Sequence, residues 1–105
     1  MGTPKSDKGI EHILLLRWKE DASQEAIDNA MVEARTLKDK IPGIVDMSCG
    51  LNFSERSKGY THGVVMRFRN RAALDAYYPH PEHQRVVQKF INPIRADAVI
   101  VDYEV

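Results

Sequence analysis

Five side chains carry most of the proton chemistry this chain can offer: His12, His62, Tyr77, His80 and His83. Histidine changes charge near neutral pH, so it can take a proton from a substrate and return it. Tyr77 precedes His83 by six residues, with Pro79 between them. A bend at that proline can turn the phenol back toward the imidazole, and a phenol beside a neutral imidazole is a workable acid–base pair. His83 falls three residues into a helix that restarts at His80-Pro81. The positive end of that helix disfavours imidazolium and is expected to hold His83 neutral. A plainer reading stands beside this one, in which His80 caps a helix while Tyr77 and His83 pack the joint between two helices.

His12 and His62 each share a strand face with bulky apolar neighbours. Leu14, Leu16 and Val64 on those faces, with Met47 on a neighbouring strand, are candidates to wall a pocket beneath the helices. In it His12, His62 and His80 would be polar anchors for a ligand oxygen. The competing reading makes His12 and His62 buried histidines bonded to backbone. The two converge only if the strand register is offset. A metal site built on His80-x-x-His83 has poor geometry, since the spacing spans a proline and a helix start, and no metal is expected. Cys49 has no activating partner and reads as a small core residue. Arg67, Arg69 and Arg71 read as a solvated edge.

The elements that must position these residues follow from periodicity. Residues 10–19 are β-forming, with Ile10, His12, Leu14, Leu16 and Trp18 on one face and Glu11, Ile13, Leu15 and Arg17 on the other. Both faces are largely apolar, which suits a central strand. Asp21 and Gln24 resemble a capping box. Ile27, Ala30, Met31, Ala34, Leu37 and Ile41 then follow helical spacing up to Pro42-Gly43. Residues 44–53 alternate, with Val45, Met47, Cys49, Leu51 and Phe53 on one face. Residues 60–69 alternate again, with Tyr60, His62, Val64, Met66 and Phe68 together, so the pair reads as a hairpin. Asn70 caps a short helix holding Ala73, Leu74, Tyr77 and Tyr78, and Pro79 ends it. Pro81 opens another helix with His83, Val86, Val87, Phe90 and Ile91 as its stripe. Residues 98–105 form a last strand.

The order is βαββαβ. It predicts an α+β, ferredoxin-like fold, a four-stranded antiparallel sheet with helices on one face. Ile13, Leu15, Val65, Val99 and Val101 cannot also lie under those helices. The second face is therefore apolar and open, and two such sheets packed together would bury it as a twofold dimer.

Composition limits the function. The chain has 105 residues, one domain's worth, with 15 basic against 15 acidic side chains. Balanced charge argues against nucleic acid or an anionic membrane as partner. No apolar run reaches membrane-spanning length. One cysteine excludes an intrachain disulfide, and a cytoplasmic location is expected. Residues 1–9 read as a flexible tail ahead of a domain at 10–105. No Gly-rich phosphate loop is present, so no cofactor is expected.

Several stretches together resemble the stress-responsive A/B barrel family of dimeric α+β barrels. They are His12 within EHILLLRW, Ile41-Pro42 with Gly50, Gly59-Tyr60-Thr61-His62, Tyr77-x-x-His80-Pro81-x-His83, and Val101-Asp102-Tyr103. The resemblance covers roughly residues 10–105. It implies a mixed set of functions: plant stress proteins without a known reaction, a hydroxynitrile lyase, and a polyketide cyclase using aldol chemistry. It also implies Tyr77 as oxyanion donor or acid and His83 as base. The ligand implied is a small apolar or aromatic carbonyl compound, and the unit a homodimer. The cyclase lines its chain-binding pocket with aromatics on the first helix, where this chain has Ala30 and Ala34, so its substrate does not carry over. The alternative is a non-catalytic stress-response or small-ligand-binding dimer.

Overall fold

The computed structural model describes residues 8–105. Residues 1–7 of the expected tail lie outside it, while the Gly9 carbonyl accepts a hydrogen bond from the Val105 amide. The elements in chain order are β1 (Ile10–Trp18), α1 (Gln24–Arg35), α2 (Leu37–Lys40), β2 (Ile44–Leu51), β3 (His62–Phe68), α3 (Arg71–Tyr77), α4 (Pro81–Val86), a π-helical turn (Val87–Ile91) and β4 (Arg95–Glu104). The strands form one antiparallel sheet in the order β2-β3-β1-β4, so the doubly apolar β1 takes a central place. This is the expected ferredoxin-like arrangement.

Alternation along β1 and β3 sends Ile10, His12, Leu16, His62, Val64, Met66 and Phe68 under the helices, where all are buried. From the helical side Ala30, Met31, Leu37, Leu74, Tyr77, Val86 and Ile91 complete the core. The other face stays open. Val65, Val99 and Val101 are 39%, 39% and 45% exposed, and they sit in register beside Ile13 and Leu15. Glu11 and Arg67 pair as an ion bridge across this face.

Several boundaries differ from the periodicity reading, each for a local reason. The first helix is capped by the Ser23 hydroxyl, which accepts from the Ala26 amide, rather than by Asp21 with Gln24. It breaks at Thr36, whose hydroxyl donates to the Glu33 carbonyl and whose side chain so competes with helix continuation. Pro42-Gly43 then turns the chain. Gly43 has φ +95°, and a Cβ there would stand 2.6 Å from the Ala73 Cβ, so only glycine fits. A bulge at Val45 reverses parity on β2. Ile44 is buried and Val45 is 55% exposed, while Met47 and Cys49 still pack on the core. Leu51 and Phe53, expected beside them, are exposed. Tyr78 is partly exposed rather than buried with Tyr77. The last strand begins at Arg95, three residues before the expected Ala98, and carries a bulge at Ala96.

Candidate functional site

Between the inner face of the sheet and α1, α4 and the π-helical turn lies a cavity of about 180 Å³. Leu14, Leu16, Met31, Val64, Val86 and Ile100 give it apolar walls. His12, Tyr77, Tyr78 and His83 open onto it together, and Arg95 is the one lysine or arginine that lines it among the described residues. A ring the size of benzene occupies roughly 150 Å³ of such space, so the cavity suits a single-ring or short-chain molecule.

His12 is held by β1 and is 4% exposed. Its register partner on β4 is Asp102, and its Nδ1 lies 2.5 Å from the Asp102 carboxylate. A carboxylate accepts, so Nδ1 carries the proton and Nε2 is the lone-pair nitrogen of neutral His12. Asp102 is a functional candidate that the sequence reading missed. The signal was available: the alternation that turns Val101 and Tyr103 outward turns Asp102 inward, opposite a histidine.

Tyr77 ends α3 and is 5% exposed. Asn70 starts that helix by accepting from the Ala73 amide, and the chain kinks at Pro79. α4 restarts with Pro81 in its first turn and the His80 imidazole accepting from the Glu82 amide. The kink folds His83 back onto Tyr77, with ring centroids 4.1 Å apart and planes tilted by 44°. The two rings are therefore in tilted contact. The hydrogen bond expected between them is replaced by one from His83 Nδ1 to the Tyr78 carbonyl, 3.0 Å away. That carbonyl can only accept, so Nδ1 carries the proton and Nε2 is the acceptor of neutral His83.

Burial pushes the Tyr77 phenol well above its usual range, with Tyr78 adding to the effect. Burial lowers the His83 pKa below its ordinary 6.5, and the positive charge that His12 and His80 can carry lowers it further. The expectation of a neutral His83 thus holds, but the cause is desolvation; α4 has only six residues. The result is a phenol that keeps its proton and an imidazole that lacks one at neutral pH.

The remaining predicted residues divide between the cavity and other places. Leu14, Leu16 and Val64 line the cavity. His62 does not: its register partner is Leu16, and that of His12 is Met66, which separates the two histidines by about 13 Å along the strands. Its Nδ1 accepts from the Trp18 indole at 2.9 Å, and burial lowers its pKa. It is a buried histidine bonded to side chains rather than backbone. His80 serves as a helix cap, and Met47 packs on the core away from the lining. Among the described residues no three His, Cys, Asp or Glu side chains group as metal ligands, and no helix is long and apolar enough to cross a membrane. The Cys49 thiol is pushed up by burial.

A family model for the stress responsive A/B barrel domain matches residues 10–105. The chain is 30% identical over 102 residues to a stress-response A/B barrel domain-containing protein of Arabidopsis thaliana, covering 96% of this chain and 38% of that protein. It thus spans well under half the length of that relative. It is 25% identical over 76 residues to olivetolic acid cyclase of Cannabis sativa, covering 70% of this chain and 75% of that enzyme. Among solved structures, the hydroxynitrile lyase of Passiflora edulis superposes with a TM-score of 0.85 at 21% identity over 94% of each chain. A dimeric ferredoxin-like protein of unknown function from Jannaschia sp. CCS1 gives a TM-score of 0.78 at 30% identity, covering 92% of this chain and 99% of that one.

Proposed function

The chain belongs to the stress-responsive A/B barrel domain family, and from that premise we propose that it is a cofactor-free acid–base protein acting on a small carbonyl compound. One observation carries the reading. Three proton-handling side chains, His12, Tyr77 and His83, open onto one cavity whose other walls are largely apolar. Apolar walls strengthen each hydrogen bond made inside by excluding water.

The roles follow from protonation. Neutral His83 accepts a proton at Nε2, from carbon beside a carbonyl or from a cyanohydrin hydroxyl. In the first case the electron pair moves to the carbonyl oxygen, and the enolate carbon attacks a second carbonyl. In the second the carbon–nitrile bond breaks as the carbonyl forms. Tyr77 donates a hydrogen bond to the oxygen that carries the developing charge and keeps its own proton, as its raised pKa favours. The His83 imidazolium returns the proton it took to the new alkoxide or to the departing cyanide, and His12, oriented by Asp102 through its Nδ1–H, offers Nε2 as a hydrogen-bond acceptor to the bound ligand. His62, His80 and Met47 have no part in this reading.

The unit is a homodimer formed through the open sheet face, which several solved relatives described as dimeric support. A reducing, cytoplasm-like compartment fits one free cysteine. A non-catalytic ligand-binding dimer is the second reading, favoured by a cavity smaller than most ligand pockets, which run from about 300 Å³. Assays of the purified chain on mandelonitrile and on small aromatic and aliphatic oxo compounds decide between them. Turnover lost in both His83→Ala and Tyr77→Phe supports the catalytic reading. Ligand binding without turnover, or turnover unchanged in both variants, removes it.

A further inference from the structure

The cavity differs in charge from one end to the other. At one end stand His12, Tyr77 and His83, with the Asp102 carboxylate on His12 and with Asp75, Glu104 and Arg71 in the adjoining surface depression. At the other stands Arg95. Arg95 is the register partner of Trp18 and Asp102 that of His12, so the two lie seven residues apart on β4.

Arg95 is exposed, and the bulge in β4 sets it on the helix-covered side of the strand at the rim of the cavity. Asp97 pairs with Arg17 and Arg95 with Trp18, which leaves Ala96 as the extra residue. In a regular strand Ala96 would stand opposite Trp18 on the helix-covered face and Arg95 would turn outward. Bulges that re-aim one side chain recur beside functional sites. Arg17, Arg67 and Arg85 form ion pairs, whereas Arg95, like Arg35, Arg56, Arg69 and Arg71, forms none among the described residues. Lys19 adds positive charge at the same end: its amide donates to the Ile94 carbonyl and its Nζ to the Pro93 carbonyl.

We infer that Arg95 determines specificity, and that the ligand of this site carries a carboxylate which Arg95 holds while its carbonyl meets Tyr77 and His83. The inference rests on the carbonyl-site reading above and names the substrate class within it: an oxo acid whose two functions are separated by one ring or a short apolar chain. A planar guanidinium takes a carboxylate in two parallel hydrogen bonds. The Asp102 carboxylate at the far end disfavours the reversed orientation. The size of the cavity limits the spacer to about one ring.

The test compares 4-formylbenzoate with its methyl ester, titrated into the full chain and its variants while backbone and ring NMR signals are followed. The wild-type chain should bind the acid roughly tenfold more tightly than the ester, the scale of a charge-assisted hydrogen bond. Arg95→Gln should erase that preference and leave ester affinity unchanged, and Arg95→Lys should keep part of it. Equal binding of acid and ester by the wild type, or a preference that survives Arg95→Gln, overturns the assignment while the carbonyl-site reading stands. If neither probe moves the Tyr77 and His83 signals, the carbonyl-site reading fails, and the Arg95 assignment with it.

Discussion

The two faces of the sheet are built from the same strands and differ by one residue of phase. On β1, His12 and Leu16 point under the helices and are buried, while Ile13 and Leu15 point away and are only partly covered. On β4, Asp102 reaches His12 while Val101, one position earlier, is 45% exposed. The covered face mixes titratable groups with apolar packing around a cavity. The open face has valine, isoleucine and leucine at its centre, flanked by the Glu11–Arg67 and Arg17–Asp97 pairs and by Asp46. On the proposed reading alternation separates two tasks, with chemistry on the face that the helices cover and association on the face that lacks a cover.

Substitutions can break that division. The largest effect is expected from His83→Ala, with kcat/KM lowered about 10²- to 10⁴-fold on an accepted substrate, the usual worth of a positioned base, and the dimer intact by light scattering. Next comes Phe68→Ala. Phe68 is 0% exposed and touches both His12 and Tyr77, so urea unfolding should show a loss of about 3–5 kcal/mol. On the other face, Val101→Lys should give the mass of one chain by light scattering while the far-ultraviolet circular dichroism of the fold persists. Retention of dimer would move the interface elsewhere.

A fourth expectation concerns pH. The His83 and His62 pKa values are both lowered in the folded chain. As pH falls through about 6.5 the unfolded chain takes up these protons first, so folded stability declines on acidification. The acidic limb of kcat/KM should accordingly lie below pH 6.5, and thermal melts between pH 7.5 and 5.5 should fall. Ser23→Ala, remote from both faces, should cost only about 1 kcal/mol by the same unfolding measurement.

Much of this was legible from residue spacing. Alternation placed Ile10, His12, Leu16, Val64, Met66 and Phe68 on the covered face, and Asn70, Pro79 and Pro81 marked the joint that brings Tyr77 and His83 together. Bulges defeated the same logic, because each one inverts parity. Val45 moved outward, and Arg95, which lay before the expected strand, came to stand opposite Trp18, for reasons that depend on pairing with β3 and β1 rather than on local sequence. Asp102 was hidden differently: its role depends on lying opposite His12 in a strand 90 residues away. The tilted contact of Tyr77 with His83, in place of a hydrogen bond between them, goes with the His83 Nδ1 bond to the Tyr78 carbonyl, a contact that spacing does not encode.

The central claim is that His83 is a neutral base facing the ligand space while His80 only caps a helix. An NMR titration of the four imidazoles, with and without benzaldehyde, tests it most directly. His83 should titrate below pH 6.5, and benzaldehyde should move the His12 and His83 resonances while leaving that of His80 in place. A His83 that titrates at or above 6.5 and ignores the ligand would contradict the account.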